Sequence, residues 1–166
     1  MKGVIEMFQC SPVMLRRQRV WLSGACMAAM CCNHAFAQTM EEADEKFAAQ
    51  DWRGAVADYR AVLADDSENA QAWFNLAHAL HQLEDYKGAR DAYQSALDAG
   101  YTPAARARVR LARIHMSLGD EESALKVLEE LAATGGPSGR ALEATAEFAP
   151  LTDNPRFQAA VRALLP

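Results

Sequence analysis

Three arginines, Arg106, Arg110 and Arg113, recur at i, i+4 and i+7, the spacing that lines side chains along one face of an α-helix. Each guanidinium presents a planar fork of N–H donors that can grip a carboxylate with two bonds. In a chain of 166 residues with a formal charge of −5, such a face is a local anion site. The competing expectation is that these arginines pair with Asp and Glu of neighbouring helices, as exposed ion pairs of little energetic weight. His78 and His81, at i and i+3, could hold a metal with a third ligand such as His115. Zinc needs three or four converging ligands and only two are adjacent, so no metal site is expected. Carboxylates at Asp65 and Asp66, and at Glu121, Glu122, Glu129 and Glu130, read as solvated faces and as charge at helix N-termini. No G-x-S-x-G, H-E-x-x-H or phosphate-cradling glycine loop follows residue 37, so the chain reads as a non-enzyme with no catalytic residue and no cofactor.

The cysteines build no site in the body of the chain, because Cys10, Cys26, Cys31 and Cys32 all fall in the first 32 residues. Around them Arg16, Arg17 and Arg19 precede an apolar run from Val20 to Cys32, and Ala35-Phe36-Ala37 supplies small residues before Gln38. That order is the layout of a secretory signal peptide cleaved after Ala37, and the run is shorter than the roughly 20 residues that span a bilayer. Residues 1–37 are therefore read as an upstream extension and signal peptide, with Met14 as an alternative start. The mature protein is expected to be periplasmic or secreted, without stable membrane insertion. Neither Cys26 nor Cys32 has a Leu three residues before it, so lipidation is not expected. Losing Lys2, Arg16, Arg17 and Arg19 takes 17 basic residues to 13, losing Glu6 takes 22 acidic residues to 21, and the mature net charge becomes −8. That balance excludes the basic surplus that carries nucleic-acid binding.

The elements that must position the arginines follow from an internal repeat. Asp51-Trp52-Arg53-Gly54-Ala55, Asp85-Tyr86-Lys87-Gly88-Ala89 and Asp120-Glu121-Glu122-Ser123-Ala124 recur at spacings of 34 and 35 residues. Four residues after each Ala stands Tyr59, Tyr93 or Leu128, and three further on Val62, Ala96 or Leu131, which together make one helical stripe. Upstream of the second and third Asp a further apolar stripe runs through Trp73, Leu76, Ala77 and Leu80, and again through Leu111, Ala112, Ile114 and Leu118. Each unit is thus a helical hairpin.

This pattern resembles the tetratricopeptide repeat, whose signature places Trp, Leu, a small residue and Tyr on a first helix and Ala, an aromatic and Ala on a second. The resemblance implies an all-α fold, a right-handed α-solenoid of about three hairpins at 38–69, 70–103 and 105–138, closed by C-terminal capping helices within 139–166. Ala104 stands as an insertion, and Arg108 replaces the Trp of the third unit. Thr102 is expected to cap the helix after Pro103, with Gly100 and Gly135-Gly136 as stops. Helices are expected over Gly139–Glu147 and Arg156–Leu165, and the segment from Ala149 to Phe157 is similar to a closing unit of bacterial repeat proteins.

In the resembling family the first helices line a concave groove. The corresponding positions are Gln71, Phe74, Asn75, His78 and Gln82 in the second unit, and Arg106, Val109, Arg110, Arg113 and Met116 in the third. Asn75, Arg106 and Arg110 match half of the clamp by which some family members hold a peptide's terminal carboxylate, whereas Met40 and Asp44 occupy the basic and amide places of the other half. The resemblance therefore implies a non-catalytic adaptor, scaffold or chaperone, and the export segment read at residues 1–37 would place it in the cell envelope. Its partner would be another protein, a peptide or helix held through an acidic segment or a C-terminal carboxylate by Phe74, Asn75, His78, Arg106, Val109, Arg110 and Arg113. The alternative is a structural subunit that self-associates into a homo-oligomer through the apolar edge of its first unit.

Overall fold

The computed structural model describes residues 40–137 and 139–165; the expected signal peptide, its cleavage after Ala37, Met14 and the four cysteines lie outside them. Among the described residues every regular element is helical. Helix α1 occupies 40–48, and α2 (Trp52–Asp65), α3 (Ala70–Gln82), α4 (Tyr86–Asp98), α5 (Ala104–Ser117) and α6 (Glu121–Thr134) follow. A short α7 (Gly139–Glu143), a 3-10 segment (Ala146–Leu151) and α8 (Pro155–Ala163) complete the order.

The recurring Asp explains the period. Its backbone N–H closes the preceding helix with a bond five residues back, from Asp51 to Lys46, Asp85 to Leu80 and Asp120 to His115, at 2.9, 3.0 and 2.9 Å. Its carboxylate then caps the next helix, accepting from the N–H of Gly54, Gly88 or Ser123 at 3.1, 3.0 and 3.1 Å. One residue so ends one helix and starts the next. The residue before it takes a positive φ, 61° at Gln50, 61° at Glu84 and 75° at Gly119, as the left-handed position of such a stop requires.

Through the repeats, packing is between chain neighbours, α3 on α4 and α5 on α6 within hairpins, and α2 on α3 and α4 on α5 between them, the arrangement of a solenoid. Ala55, Ala89 and Ala124 are each fully buried, so the small residue of each unit sits where helices approach closely. One core runs from Ala43 to Ile114; a second joins Leu125, Leu128 and Leu131 of α6 to Leu142, Phe148, Leu151, Phe157 and Val161 of the C-terminal elements. Gly139 makes that closure close: a Cβ there would run into the Val161 carbonyl of α8. No helix among the described residues is long and apolar enough to cross a membrane.

Two local expectations are corrected. Pro103, not Thr102, is the residue preceding α5, and it offers no side-chain cap; the Thr102 hydroxyl instead donates to the Gly100 carbonyl at 3.3 Å, one residue too early to reach the helix's free N–H groups. The helix expected over Gly139–Glu147 stops at Glu143 and resumes as a 3-10 turn that contains Pro150, whose missing N–H opposes a continuous α-helix. The last helix begins at Pro155, with Asn154 accepting from the Arg156 N–H at 2.9 Å, and ends at Ala163.

Candidate functional site

Helices α1, α3 and α5 share one face of the molecule. Asp44 of α1 reaches Asn75 of α3, and Arg106 of α5 lies over the ring of Phe74 of α3, 5.3 Å from its centroid, a cation–π distance. The three helices differ in charge along this face. Asp44 is exposed on the first, Gln71, Asn75 and Gln82 are neutral on the second, and Arg106, Arg110 and Arg113 are basic on the third.

The face begins with a closed polar network. Tyr59, fully buried on α2, donates its hydroxyl to Asp44 Oδ1 at 2.5 Å. Asn75 Nδ2 donates to the same Asp44 oxygen at 3.1 Å and to the Tyr59 hydroxyl oxygen at 3.1 Å. Gln71 Nε2 donates to Asn75 Oδ1 at 2.9 Å. Burial and the Asp44 carboxylate both hold the Tyr59 phenol well above its ordinary range, since ionising it would place two negative charges together.

The structure separates the seven expected contact residues. Phe74 is 4% exposed, stacked on Tyr101 at 4.2 Å and edge-on to Tyr93 at 5.5 Å, so it floors the groove and offers its surface through Arg106. Asn75 is half-buried and engaged by Asp44 and Tyr59. Val109 is half-buried against the second core. His78 packs edge-on to Phe47 at 5.1 Å, stacks on Trp52 at 6.2 Å and lies 3.3 Å from Gln82 Nε2. Its pKa is lowered to about 4, by burial first and then by Arg110, His81, Arg106 and Arg113, so it is neutral at physiological pH. His81 instead lies against Tyr86, and no three His, Cys, Asp or Glu side chains among the described residues converge on a metal position.

The arginines have different fates. Arg113 pairs with Glu147 in the 3-10 segment, an acid outside the repeat period. Arg106 and Arg110 have no carboxylate within 4 Å among the described residues, and Arg106 is exposed while Arg110 is half-buried. Beneath them Tyr93 is fully buried, and its hydroxyl has no hydrogen-bond partner among the described residues. Burial pushes that phenol up to about 12, against the opposing pull of Arg110, Arg113 and Arg106. Tyr93 entered the sequence reading only as a stripe residue of its helix. The signal that it matters was its equivalence to Tyr59 one repeat earlier. Chemically, the α5 side of the face offers the guanidinium N–H donors of Arg106 and Arg110, which can hold an anion.

A family model described as tetratricopeptide repeat matches residues 40–101 and 83–140. No curated protein matches in sequence. Among solved structures, the chain is similar to the TPR2B domain of yeast Sti1 in complex with pHsp70, with a TM-score of 0.54 and 20% identity over 78% of this chain and 94% of that one. At that identity the likeness concerns the fold.

Proposed function

This chain belongs to the tetratricopeptide repeat family, and on that premise we propose that it is a non-catalytic protein–protein adaptor, scaffold or chaperone of the cell envelope. It is exported by the segment ending at Ala37 and holds a peptide or helix of another protein in its concave groove. The observation that carries this reading is the α5 edge of the groove. Arg106 and Arg110 stand without carboxylate partners among the described residues, in a protein whose net charge is negative. Intramolecular pairing accounts for Arg113 and leaves these two available. Charge complementarity then favours an acidic segment or a terminal carboxylate, and a polar, preformed face suits an extended segment or a short helix.

The test places a photo-crosslinking amino acid at Gln71 or Met116 on the groove side, or at Arg60 on α2, in the full chain expressed in its own cell. Adducts of one defined mass at the groove positions and none at Arg60 support the proposal; equal adducts at all three sites overturn it. Light scattering on the purified protein separates this reading from a self-associating subunit, since an adaptor stays monomeric as its concentration rises.

A further inference from the structure

The groove uses one side of α3, and the opposite side lines a cleft. Helical spacing puts Gln71, Asn75 and His78 on the groove face of that helix and Trp73, Leu76 and Leu80 on the face turned away from it. There a cavity of about 400 Å³ opens between α2, α3 and α4, lined on α3 by those three residues, a volume within the range of ligand sites. The repeat explains why the space exists. Ala64, Gly88, Ala92 and Ser95 line it, whereas the equivalent places one repeat on hold Asp98, Ser123, Val127 and Glu130. Each of these is larger. Two lining places have also turned polar, Trp73 giving way to Arg108, which reaches Thr134 at 3.4 Å, and Leu80 to His115. Small residues on α2 and α4 thus leave a gap, and apolar residues of α3 line it. Trp73 Nε1 donates to the Ser67 carbonyl at 2.8 Å, so the indole is fixed by the α2–α3 turn with its polar group satisfied.

Two charged residues border the cleft, and only one is free. Arg60 lines it from α2, exposed and with no carboxylate within 4 Å among the described residues. Asp91 of α4 is held by Arg90 of its own helix, whose Nε and Nη2 both donate to Oδ1, at 2.8 and 2.7 Å. The apolar surface lies inside the cleft and does not spread around it: the exposed large hydrophobic residues, Leu83 and Leu165 among the described residues, are not part of its lining. A protein partner would need roughly 1,000 Å² of complementary surface, whereas a single apolar chain needs only the cleft. We propose that this cleft is a second binding site, for a free fatty acid of medium chain length, whose alkyl chain enters between α2 and α4 against Trp73, Leu76 and Leu80 and whose carboxylate is held at the mouth by the Arg60 guanidinium. The site goes beyond the adaptor reading and does not depend on it. A small amphiphile there leaves Arg60 without protein adducts.

The test follows the Trp73 indole N–H of the full chain by NMR while decanoate, decanol or decyltrimethylammonium is added below its micelle-forming concentration. The three share a chain and differ in the charge of the head. Decanoate is expected to give a saturable shift, decanol one at least about tenfold weaker, and the cation none, because a charge-assisted contact with Arg60 separates them. Arg60→Gln should reduce the affinity for decanoate to that for decanol.

A second variant tests the cavity itself. Ala64→Leu puts a larger side chain into the lining from an exposed position of α2, and it is expected to abolish the decanoate shift while the melting temperature stays that of the parent. Should that variant melt early, Arg60→Gln, a change at an exposed residue, decides alone. Decanoate bound no more tightly than decanol or decyltrimethylammonium overturns the site, as does a decanoate shift that both variants leave intact, or no saturable shift with decanoate at all. Crosslinks from Gln71 and Met116 report on the opposite side of the molecule, so this site and the adaptor reading fail separately.

Discussion

Arg113 on α5 and Glu147 in the 3-10 segment are joined by two prongs, Nε and Nη2 of the guanidinium both donating to Oε1 of the carboxylate, the first at 2.8 Å. The pair spans 34 residues and ties the third hairpin to the C-terminal elements. Burial works against the Glu147 carboxylate, but the hydrogen bonds from Arg113 outweigh it and hold its pKa below 4.5. A folded-state pKa that is depressed stabilises above the unfolded value and loses that contribution as pH falls through the folded one. With about a third of the Glu147 side chain exposed, solvent screening limits the contribution to about 0.5–1 kcal/mol. Glu147→Gln should therefore cost about that much at pH 7 and flatten the stability curve below pH 4.5, as measured by urea unfolding across pH.

The double role of the repeat Asp gives a second expectation. Asp85→Ala removes the cap of α4, whose carboxylate accepts from the Gly88 N–H at 3.0 Å, and should destabilise by about 1 kcal/mol. Asp85→Asn keeps the acceptor and should recover most of the loss. Equal melting temperatures for Asp85→Ala and the parent would contradict the capping assignment.

This pairing of roles is also why the hairpins were legible in the sequence. A residue that stops one helix and starts the next cannot drift in position, so Asp51, Asp85 and Asp120 print the period directly. The C-terminal elements carry no period, and α7 ends at Glu143, ahead of the 3-10 segment that contains Pro150. At the site, the i, i+4, i+7 spacing revealed the arginine face, because helical geometry alone decides it. Which arginine finds a partner is decided by residues far along the chain, and Glu147 lay in a segment read as continuous helix. Phe74 fell on the groove side by register, yet Tyr101, just past the Gly100 stop, stacks on it at 4.2 Å and covers it. Single-chain periodicity does not report such a contact between a helix and a turn.

Ala89, fully buried on α4, provides a test of close helix approach. Ala89→Leu adds volume where α3 and α4 pack and should cost about 1–3 kcal/mol by overpacking. Ala64→Leu, at an exposed position of α2, should leave the melting temperature nearly unchanged. A parent-like melt for Ala89→Leu would mean that α4 has room on that side.

Acid should weaken the fold through His78 as well. Its pKa falls from 6.5 in the unfolded chain to about 4 in the fold. Between these values the unfolded state binds the proton more readily, so stability is full above about pH 6.5 and declines as pH falls toward 4. The full linkage value is reduced for a half-buried ring, leaving about 1–2 kcal/mol. His78→Gln should remove that part of the slope, and an NMR titration of His78 with a midpoint near 6.5 would refute the burial argument.

Arg106 and Arg110 carry the functional prediction. If they hold a partner's carboxylate, replacing both with Ala should weaken capture of that partner by at least about tenfold, since each charge-assisted bond contributes about 1.5–3 kcal/mol. The helical circular dichroism signal should persist, because Arg106 is exposed, Arg110 is half-buried, and neither pairs with an acid among the described residues. Binding by the parent should weaken with added salt, as a contact between partly exposed charges must. Arg162→Ala, on exposed α8 surface, is the matched loss of one cation outside the groove and should leave affinity unchanged. Arg113→Ala gives a different signature, loss of stability together with its Glu147 pair. Comparable loss of affinity from Arg162→Ala, or none from the double variant, would remove the anion contact from the groove and return attention to Val109 and Met116 on the same helix.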